Sequence, residues 1–526
     1  MTAPLSGAAD GLHTLGRWTT DRAIATPARI AVDDRGVVLS YAELESRATA
    51  LAAAFHRAGY GVGDRVATIT GNSADQVVLF FACAKAGMVL VPLSWRLTVR
   101  ELVEQLEIAD PALVLSEEEF DTLARAAIGR LAHRPAVSSL GTRGIETLVP
   151  VPHRRLDDLP VHREVRDDDA LLIIFTSGTL GVAKGAVLTH ANCFWTNLAL
   201  SRTAELTSDD VVLAVMPQFH VGGWNVQPLL AWWTGATVVL ERTFDAGRVL
   251  QLIEARRITT TMGVPTNYLL LAEHPLFGST DLSSLKHAIV GGAPMPEPLL
   301  RTWHARGVAL TQGYGLTEAS PNVLCLPDED ARTRVGMAGR PYPHVEVAVA
   351  DPVTGEVLEG AATGELLVRA PSVFAGYFRN PELTAAALHD GWLHTGDLVH
   401  RDEEGYFRIV DRIKDIYISG GESVAPTEVE SVLRAHPAVA DAAVVGVPDE
   451  RWGETGIAFV VTRPGVATDE LELLEHVRGQ LAGFKVPRAI RFLPSIPRTA
   501  SAKVLRRDLV DRWHAETARQ EREAAR

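Results

Sequence analysis

Hydrophobic and polar residues in the first part of the chain alternate between a helical and a strand-like period. Residues 40–59 read SYAELESRATALAAAFHRAG and repeat apolar residues every three or four positions, with Ser40 placed to cap a helix and Gly59 to end it. Residues 64–70, DRVATIT, predict a strand, and residues 73–87 and 88–93 predict another helix and another strand. Because strands that alternate with helices form parallel sheets, this part predicts an α/β fold.

The same rhythm returns in residues 210–217, 229–241 and 246–265, and the pattern changes after about residue 340. Residues 345–370 have short apolar runs between glycine turns, which predicts a small β subdomain, and residues 425–450 predict a helix followed by a strand. We therefore predict a large N-terminal domain over residues 1–410, built from α/β subdomains and a small β subdomain. A hinge at 411–415 and a small, mobile α+β C-terminal domain over 416–526 follow it.

Composition adds limits to this picture. A chain of 526 residues exceeds the size at which one core usually stops growing, which agrees with more than one domain. The net charge of -14 argues against a general nucleic-acid-binding surface. The three cysteines match no metal spacing and no even disulfide set, so we expect a reducing cytoplasm. The most apolar segment, residues 77–93, is interrupted by Lys85, Gly87 and Pro92, and no membrane span is predicted.

One segment carries candidate chemistry. Residues 173–190, IIFTSGTLGVAKGAVLTH, open as a buried strand and continue as a predicted loop from Thr176 to Gly185, rich in hydroxyl groups and glycines around one lysine. Glycines let backbone N–H groups approach a ligand, and hydroxyl groups with a mobile cation suit a polyphosphate. The ligand-binding candidates of this loop are Thr176, Ser177, Gly178, Thr179, Gly181 and Lys184. Ala183 stands where a P-loop needs glycine, which disfavours a P-loop NTPase, and on composition alone a flexible surface loop is the alternative.

Four further segments follow in order: QGYGLTE at 312–318, HTGD at 394–397, DRIKDIYISGGE at 411–422 and PRTASAKVLRR at 497–507. With the lysine loop, this order resembles the acyl-adenylate-forming superfamily over essentially the whole chain. The likeness is greatest to CoA ligases for fatty or aromatic acids, through GWLHTGD at 391–397 and ISGGESVAPTEVE at 418–430. The resemblance implies an AMP-forming acid–thiol ligase, which first forms an acyl-adenylate from ATP and then transfers the acyl group to the thiol of CoA.

The resemblance also implies roles for individual residues, with ATP and Mg²⁺ as cofactors and CoA as the acceptor substrate. The loop residues would hold the β- and γ-phosphates, Thr317 would contact the α-phosphate and Glu318 would bind Mg²⁺. Asp397 and Arg412 would bind the ribose. The residues implied around the adenine are Gly291, Gly292, Ala293, Gly313, Tyr314 and Gly315. The implied catalytic residues are Lys503, Lys184, Thr176, Glu318 and His220.

The remaining implied sites concern the acid, the hinge and CoA. His220 stands where amino-acid-activating relatives carry an aspartate, so α-amino acids are disfavoured. The implied walls of the acid pocket are His220, Trp224, Asn197, Met262, Gly292, Gly315 and Ser320, and their character favours an aromatic or medium-to-long apolar acid. Lys414 would be the pivot of a domain rotation between the two half-reactions. The implied CoA contacts are Gly420, Gly421, Trp452, Phe484 and Arg488.

Two other functions stay open on the sequence. The first is an adenylating enzyme that passes the acyl group to a carrier-protein thiol or a nitrogen nucleophile, with a carrier protein as partner. The second is a nucleotide-binding regulator. The residues that argue against it are Lys184, Glu318, Asp397 and Lys503. The identity of the acid, the pathway and the oligomeric state, including a homo-oligomer, are equally open.

Overall fold

The computed structural model describes residues 11–141, 144–145, 163–177, 183–293, 295–419, 422–449, 452–481, 483–499 and 503–524. Helices and strands within these residues form a mixed α/β architecture with four sheets. This confirms the predicted fold class, with a large N-terminal α/β part and a small α+β part at the C-terminus. Among the described residues, none of the helices combines the length and the apolar character that a membrane crossing requires.

The strands are, in chain order, β1 (Ile30–Asp34), β2 (Val37–Ser40), β3 (Arg65–Ile69), β4 (Val89–Leu93), β5 (Leu113–Ser116), β6 (Ala136–Gly141), β7 (Gly144–Ile145), β8 (Ala170–Ser177), β9 (Ala183–Thr189), β10 (Val211–Ala214), β11 (Thr237–Leu240), β12 (Thr260–Gly263), β13 (His287–Val290), β14 (Leu310–Tyr314), β15 (Leu324–Cys325), β16 (Arg340–Pro341), β17 (Glu346–Ala350), β18 (Val357–Leu358), β19 (Ala362–Arg369), β20 (Gly376–Tyr377), β21 (Leu388–His389), β22 (Trp392–Arg401), β23 (Phe407–Arg412), β24 (Tyr417–Ser419), β25 (Glu422–Val424), β26 (Val439–Asp449), β27 (Gly453–Thr462) and β28 (Ala489–Phe492). The helices are α1 (Gly16–Ala25), α2 (Tyr41–Arg57), α3 (Ala74–Ala86), α4 (Val99–Ala109), α5 (Asp121–Ile128), α6 (His190–Ser201), α7 (Gly222–Asn225), α8 (Pro228–Thr234), α9 (Ala246–Ala255), α10 (Pro265–Glu273), α11 (Glu297–Ala305), α12 (Pro381–Ala387), α13 (Pro426–Ala435), α14 (Glu470–Arg478) and α15 (Arg506–Ala524).

Two large sheets carry most of the α/β part. One has the strand order β16-β15-β14-β13-β12-β10-β11-β1-β2, and its run from β14 to β1 is parallel. The other has the order β20-β9-β8-β4-β3-β5-β6-β7, with parallel strands from β8 to β6 and the antiparallel β8–β9 hairpin. The predicted parallel α/β sheets are therefore confirmed.

Local sequence explains why the first helices begin and end where they do. Ser40 caps α2 through a reciprocal pair of hydrogen bonds with Glu43, and Gly59 follows the helix with φ 87°. Ser73 caps α3, which ends at Gly87 with φ 71°, and nearly all residues of α3 are buried. A membrane helix needs about 20 apolar residues, and α3 has 13, so its buried residues form a core helix.

The chain divides into two compact units. The first contains Met1–Gly291, Glu297–Val347 and Val368–His394, and the second contains Gly292–Pro296, Ala348–Leu367 and Thr395–Arg526. Residues 395–410, which we assigned to the N-terminal domain, group with the C-terminal segment by compactness. The predicted domain bounds stay a prediction. The hinge at 411–415, about which the C-terminal domain would rotate, also stays a prediction.

Helices cover both faces of the C-terminal sheet in the second unit, whose main strand order is β25-β24-β27-β26 with β28 paired to β27. Val429 and Leu433 of α13 pack on one face together with residues of α14. Leu509 of α15 is fully buried on the other face with Val445 and Phe459. The two clusters hold α13 and α15 on opposite sides of β26 and β27.

Candidate active site

The described residues of the lysine loop belong to β8 and β9, which pair as antiparallel strands. Thr176 pairs with Lys184 and Ser177 pairs with Ala183 across the two strands. The prediction of a loop from Thr176 to Gly185 is therefore wrong at both ends, because the antiparallel ladder continues past the last apolar residues. Gly178, Thr179 and Gly181 lie outside the described residues. The N–H of Ala183 donates to Oε1 of Glu104 at 3.0 Å, which anchors the returning strand to α4.

Lys184 and Glu318 contact the same aromatic side chain. The Nζ of Lys184 lies 5.1 Å from the centroid of the Tyr377 ring, within the range of a cation–π interaction. The hydroxyl of Tyr377 donates to Oε1 of Glu318 at 2.7 Å. Tyr377 itself belongs to β20, which pairs with β9 opposite Ala186. The structure thus brings together a cation from the hairpin and a carboxylate from the segment after β14.

A tightly packed turn presents Glu318. Thr317–Ala319 form one 3₁₀ turn after β14, and the carbonyl of Glu318 accepts the N–H of Phe374 at 2.9 Å. A Cβ on Gly315 would lie 1.4 Å from the carbonyl oxygen of Pro321, so only glycine fits that position. The hydroxyl of buried Ser320 donates to the carbonyl of Ser372 at 2.7 Å, which closes the turn.

Met262 has surroundings that suit the wall of a pocket. A Cβ on Gly291 would lie 3.5 Å from the Met262 methyl group, and a Cβ on Gly222 would lie 3.9 Å from it. The same Cβ on Gly291 would lie 3.4 Å from the carbonyl oxygen of Gly313 in β14. Met262, Gly291 and Gly313 are therefore close neighbours, and the glycines leave a surface without side chains beside the thioether.

His220 and Trp224 lie between β10 and α8, with Trp224 in the short helix α7, but their surroundings differ. His220 is half-buried, and its ring contacts Phe219 edge to face at a centroid distance of 4.7 Å. Trp224 is 0% exposed, stacks on Phe80 at 4.7 Å and donates its indole N–H to the carbonyl of Gln218 at 2.6 Å. These contacts explain Trp224 as a core residue, and its place in the acid pocket stays a prediction.

Asn197 belongs to a buried cluster of amide side chains. Its Nδ2 donates to Oδ1 of Asn225 at 3.0 Å, and Asn322 donates to the carbonyl of Asn225 at 3.2 Å and to Oγ1 of Thr196 at 3.0 Å. Asn225 and Asn322 were not predicted from sequence, because they lie on different segments and acquire a shared role only when the chain folds.

Asp397 and Arg412, both predicted to bind ribose, form an ion pair in the second unit. Arg412 Nε lies 2.5 Å from Oδ1 of Asp397, and the two residues face each other across β22 and β23. Thr395 fixes this end of the strand, because its hydroxyl donates to the carbonyl of Leu366 and accepts the N–H of Asp397. The strand continues past the HTGD segment, since the ladder with β23 extends β22 to Arg401. Of the adenine candidates in this unit, Gly292 has φ 80°.

The segment before Lys414 contains an anchored carboxylate, Asp411. Lys414 lies in the short turn Ile413–Asp415 directly after β23. Asp411 accepts hydrogen bonds from the N–H and hydroxyl of Thr427 at 3.0 and 3.1 Å, in the first turn of α13. Burial raises the pKa of Asp411 although these hydrogen bonds oppose it. The segment before Lys414 is therefore tied to the helix that follows it.

Two of the predicted CoA contacts meet at one carboxylate. Asp449 accepts the N–H of Trp452 at 2.9 Å and lies 3.0 Å from Nη1 of Arg488. The side chains of Trp452 and Arg488 are both exposed. Phe484 instead packs against the core cluster below α13. Gly420 and Gly421 lie outside the described residues.

Lys503 is exposed and is bonded to Thr499 through its backbone. Its N–H donates to Oγ1 of Thr499 at 3.1 Å, and its carbonyl accepts the N–H of Thr499 at 2.7 Å. Arg498 and Val504 pair as an isolated bridge just outside these contacts. The catalytic role of Lys503 stays a prediction.

Tyr377, which contacts both Lys184 and Glu318, is a residue of the candidate site that sequence reasoning missed. It lies 59 positions from Glu318 and has no glycine-rich or charged motif around it. The only local signal is a tyrosine beside Gly376, whose φ of 129° marks a special backbone position.

Comparisons with known proteins identify the family of the chain. A family model described as AMP-binding enzyme matches residues 20–378, and a model of the AMP-binding enzyme C-terminal domain matches residues 428–503. The chain is 41% identical over 500 residues to a feruloyl-CoA synthase of Amycolatopsis sp, covering 95% of this chain and 99% of the relative. It is 37% identical to an indoleacetate–CoA ligase of Aromatoleum aromaticum, covering 94% and 97%.

A solved structure shares the fold along almost the whole chain. The crystal structure of ATP-bound MatB from Rhodopseudomonas palustris superposes with a TM-score of 0.86 at 33% identity and covers 95% of this chain and 99% of that one. The two family models match the N-terminal and C-terminal parts of the chain separately, and the full-length relatives cover both parts together. The chain belongs to the AMP-binding enzymes, the acyl-adenylate-forming superfamily that its ordered motifs resemble.

Proposed function

We propose that this protein is an AMP-forming ligase that joins an aromatic carboxylic acid to CoA. In the first step an acid oxygen attacks the α-phosphorus of ATP, and pyrophosphate leaves. In the second step the CoA sulfur attacks the acyl carbonyl of the adenylate, its proton passes to solvent, and AMP leaves. The observation that carries the proposal is the contact of Lys184 and Glu318 with one tyrosine, Tyr377.

The hairpin supplies the groups for binding the triphosphate. Lys184 contributes the charge, and Thr176 is its cross-strand partner in the same ladder. Ser177, Gly178, Thr179 and Gly181 extend this set at the tip, as the resemblance implies. Phosphoryl transfer depends on positioning and charge stabilisation more than on covalent help, and such groups provide both.

The residues around Glu318 fit a magnesium ion that arrives with its nucleotide. Mg²⁺ is usually held by one or two carboxylates plus substrate phosphates. Glu318 provides one such carboxylate, and among the described residues no group of three or more acidic, histidine or cysteine side chains forms a cage. When bound, the ion neutralises charge on the phosphates. Tyr377 meanwhile orients the carboxylate by its hydrogen bond to Oε1.

Other residues divide the remaining tasks. Asp397, held by Arg412, accepts the ribose hydroxyls, and Thr317 contacts the α-phosphate. Lys503 supplies the cation that stabilises charge during adenylation, after which a rotation about Lys414 serves thioester formation. The residues that the resemblance implies around the adenine and CoA are proposed to bind those groups.

An aromatic acid is the substrate class that the observations favour. Two full-length relatives carry the names of CoA ligases for ferulate and for indoleacetate, both acids with aromatic rings. Met262 offers a polarisable thioether beside glycines, which suits a flat ring.

ATP and CoA are cytoplasmic substrates, and the free thiols Cys83 and Cys193 are compatible with a reducing compartment.

A substrate panel tests the proposal. The purified protein is given ATP and Mg²⁺ with ferulate, indoleacetate or decanoate, with and without CoA, and pyrophosphate and acyl-CoA are measured. We expect pyrophosphate with the aromatic acids and an aryl-CoA thioester when CoA is present. Adenylate without thioester would move the acceptor to a carrier protein or a nitrogen nucleophile, and no acid-dependent pyrophosphate would refute adenylation.

A matched pair of lysine variants shows whether any activity uses the described site. Lys184→Met should abolish most pyrophosphate release. Lys286→Met removes a lysine whose side chain is 58% exposed, and it should leave the reaction rate close to that of the unchanged protein.

A further inference from the structure

A buried carboxylate lies at the centre of the second unit. Glu430 of α13 is 2% exposed, and its Oε1 accepts the N–H of Val444 at 2.9 Å. Nη1 of Arg506 lies 2.5 Å from Oε1, and Nη2 of Arg434 lies 3.1 Å from Oε2. Burial alone would raise the pKa of Glu430, but the two guanidinium groups outweigh burial and lower the pKa. The group is therefore held as a fully hydrogen-bonded anion.

Arg506 connects this carboxylate to two places in the chain. It is the first residue of α15 and stands three positions after Lys503. Its Nη1 also donates to the carbonyl of Val444 at 2.6 Å, and its Nε lies 3.3 Å from Oδ2 of Asp415, beside Lys414. A planar guanidinium that makes several such bonds has its orientation fixed.

The other side of the Lys503 turn has an anchor of the same kind. Nη2 of Arg498 lies 2.7 Å from Oδ2 of Asp441, and Oδ1 of Asp441 lies 3.4 Å from Nε of Arg434. Arg434 in turn binds Glu430. Both ends of the turn are thus fastened to one charged cluster, whose members are Arg498, Asp441, Arg434, Glu430, Arg506 and Asp415.

We propose that Arg506, held by Glu430, is a positioning residue that sets where Lys503 presents its amine during adenylation. This inference rests on the proposed function, in which Lys503 serves that step. Lys503 is exposed, and its backbone bonds to Thr499 join the two described ends of this segment. Val504, the next residue, packs against the apolar cluster that contains Leu509. The charged cluster adds directional bonds at Arg498 and Arg506, on either side of Lys503. A displacement of about 1 Å at a reacting group costs on the order of 10²-fold in rate.

A stabilising effect on the fold does not by itself explain why this unit contains buried charges. Replacing a buried ion pair by packed apolar residues is often neutral or stabilising, so a buried pair is weak evidence of a stabilising role. In this unit the apolar clusters on both faces of the sheet already hold α13 and α15 in place. The directional bonds of Arg506 fix the orientation of the chain where α15 begins, three residues after Lys503.

The test compares Arg506→Lys with Arg512→Met in the full-length enzyme. Arg506→Lys keeps the charge but loses the fork of donors, and Arg512→Met removes an exposed arginine of the same helix that pairs with Glu516. Adenylation is measured by acid-dependent pyrophosphate release, and thioester formation is measured from supplied acyl-adenylate and CoA. We expect Arg506→Lys to lower kcat for adenylation by up to about 10²-fold, with KM for ATP nearly unchanged. Thioester formation in Arg506→Lys and both reactions in Arg512→Met should stay near the wild-type rates.

A double-mutant cycle with Lys503→Ala separates positioning from folding. If Arg506 acts through Lys503, Arg506→Lys has no further effect on adenylation once Lys503 is alanine. An equal loss in both backgrounds, or an equal loss of both half-reactions, would overturn the proposal. If Lys503→Ala alone leaves adenylation intact, the assignment of Lys503 in the proposed function fails instead.

Glu430→Gln provides a second variant in case Arg506→Lys folds poorly. It preserves the shape and the acceptor for Val444 while removing the charge that orients Arg506. We expect the same selective loss of adenylation. Wild-type adenylation in a folded Glu430→Gln protein would count against the inference.

Discussion

Tyr377→Phe isolates the link between the tyrosine and Glu318. The substitution removes only the hydroxyl that donates to Oε1 of Glu318 at 2.7 Å. It keeps the ring that lies 5.1 Å from Nζ of Lys184, so the cation–π contact persists. The change should therefore affect the binding of magnesium by the carboxylate and spare the binding of the phosphates.

The expected size follows from the type of hydrogen bond. A hydrogen bond to a charged group contributes about 1.5–3 kcal/mol, and the lower end applies because both side chains are half-buried. A loss of about 1.5 kcal/mol corresponds to roughly a tenfold change in an equilibrium constant. Tyr377→Phe should thus raise the magnesium concentration for half-maximal pyrophosphate release about tenfold.

The assay is a magnesium titration of acid-dependent pyrophosphate release, followed by an ATP titration at saturating magnesium. KM for ATP in the second titration should match the wild-type value, whereas Tyr377→Leu should raise it because the ring is lost. Tyr268→Phe is the matched control, since the Tyr268 hydroxyl donates to a backbone carbonyl, that of Ile289, at 2.8 Å. Superimposable magnesium curves for wild type and Tyr377→Phe would refute the reasoning.

Three further outcomes are expected. Gly315→Ala should lower the free energy of unfolding by about 3 kcal/mol in chemical denaturation, because its Cβ would meet the carbonyl oxygen of Pro321, whereas Gly278→Ala meets nothing within 4 Å and should be nearly neutral. Asp397→Ala should raise KM for ATP about tenfold or more, since hydrogen bonds to a carboxylate are lost, and an unchanged KM would remove the residue from the ribose role. Burial lowers the pKa of His190 from 6.5 to about 4, so the unfolded chain binds a proton that the folded chain rejects. The free energy of unfolding should therefore fall by about 3 kcal/mol as pH drops from 6.5 toward 4, and the fall should be smaller in His190→Gln.

Local signals explain how much of the fold could be predicted. Ser40 and Gly59 bracket α2 because capping and left-handed glycine geometry depend only on neighbours in sequence. The ordered motifs identified the family for a similar reason, since each is contiguous. The hairpin ends were mispredicted because Thr176 and Lys184 look like loop residues until their partners across the ladder are known.

Long-range pairs account for what the sequence could not reveal. Tyr377 reaches Glu318 across 59 positions, and Arg506 reaches Glu430 across 76. Neither pair has a spacing rule, because each depends on which strands and helices become neighbours. Charges that are separated in sequence become informative only when packing excludes water around them, as it does at Glu430.

The opposite charges that meet at Tyr377 should also select which form of the nucleotide binds. Lys184 and Glu318 place one positive and one negative group on the same ring, so the ligand-free cluster has no net charge. Bare ATP would meet the carboxylate as a like charge, and a bare divalent cation would meet the ammonium as a like charge. The preformed metal–nucleotide complex satisfies both groups at once. Reaction velocity should therefore follow the concentration of that complex, and uncomplexed nucleotide in excess should compete poorly for entry.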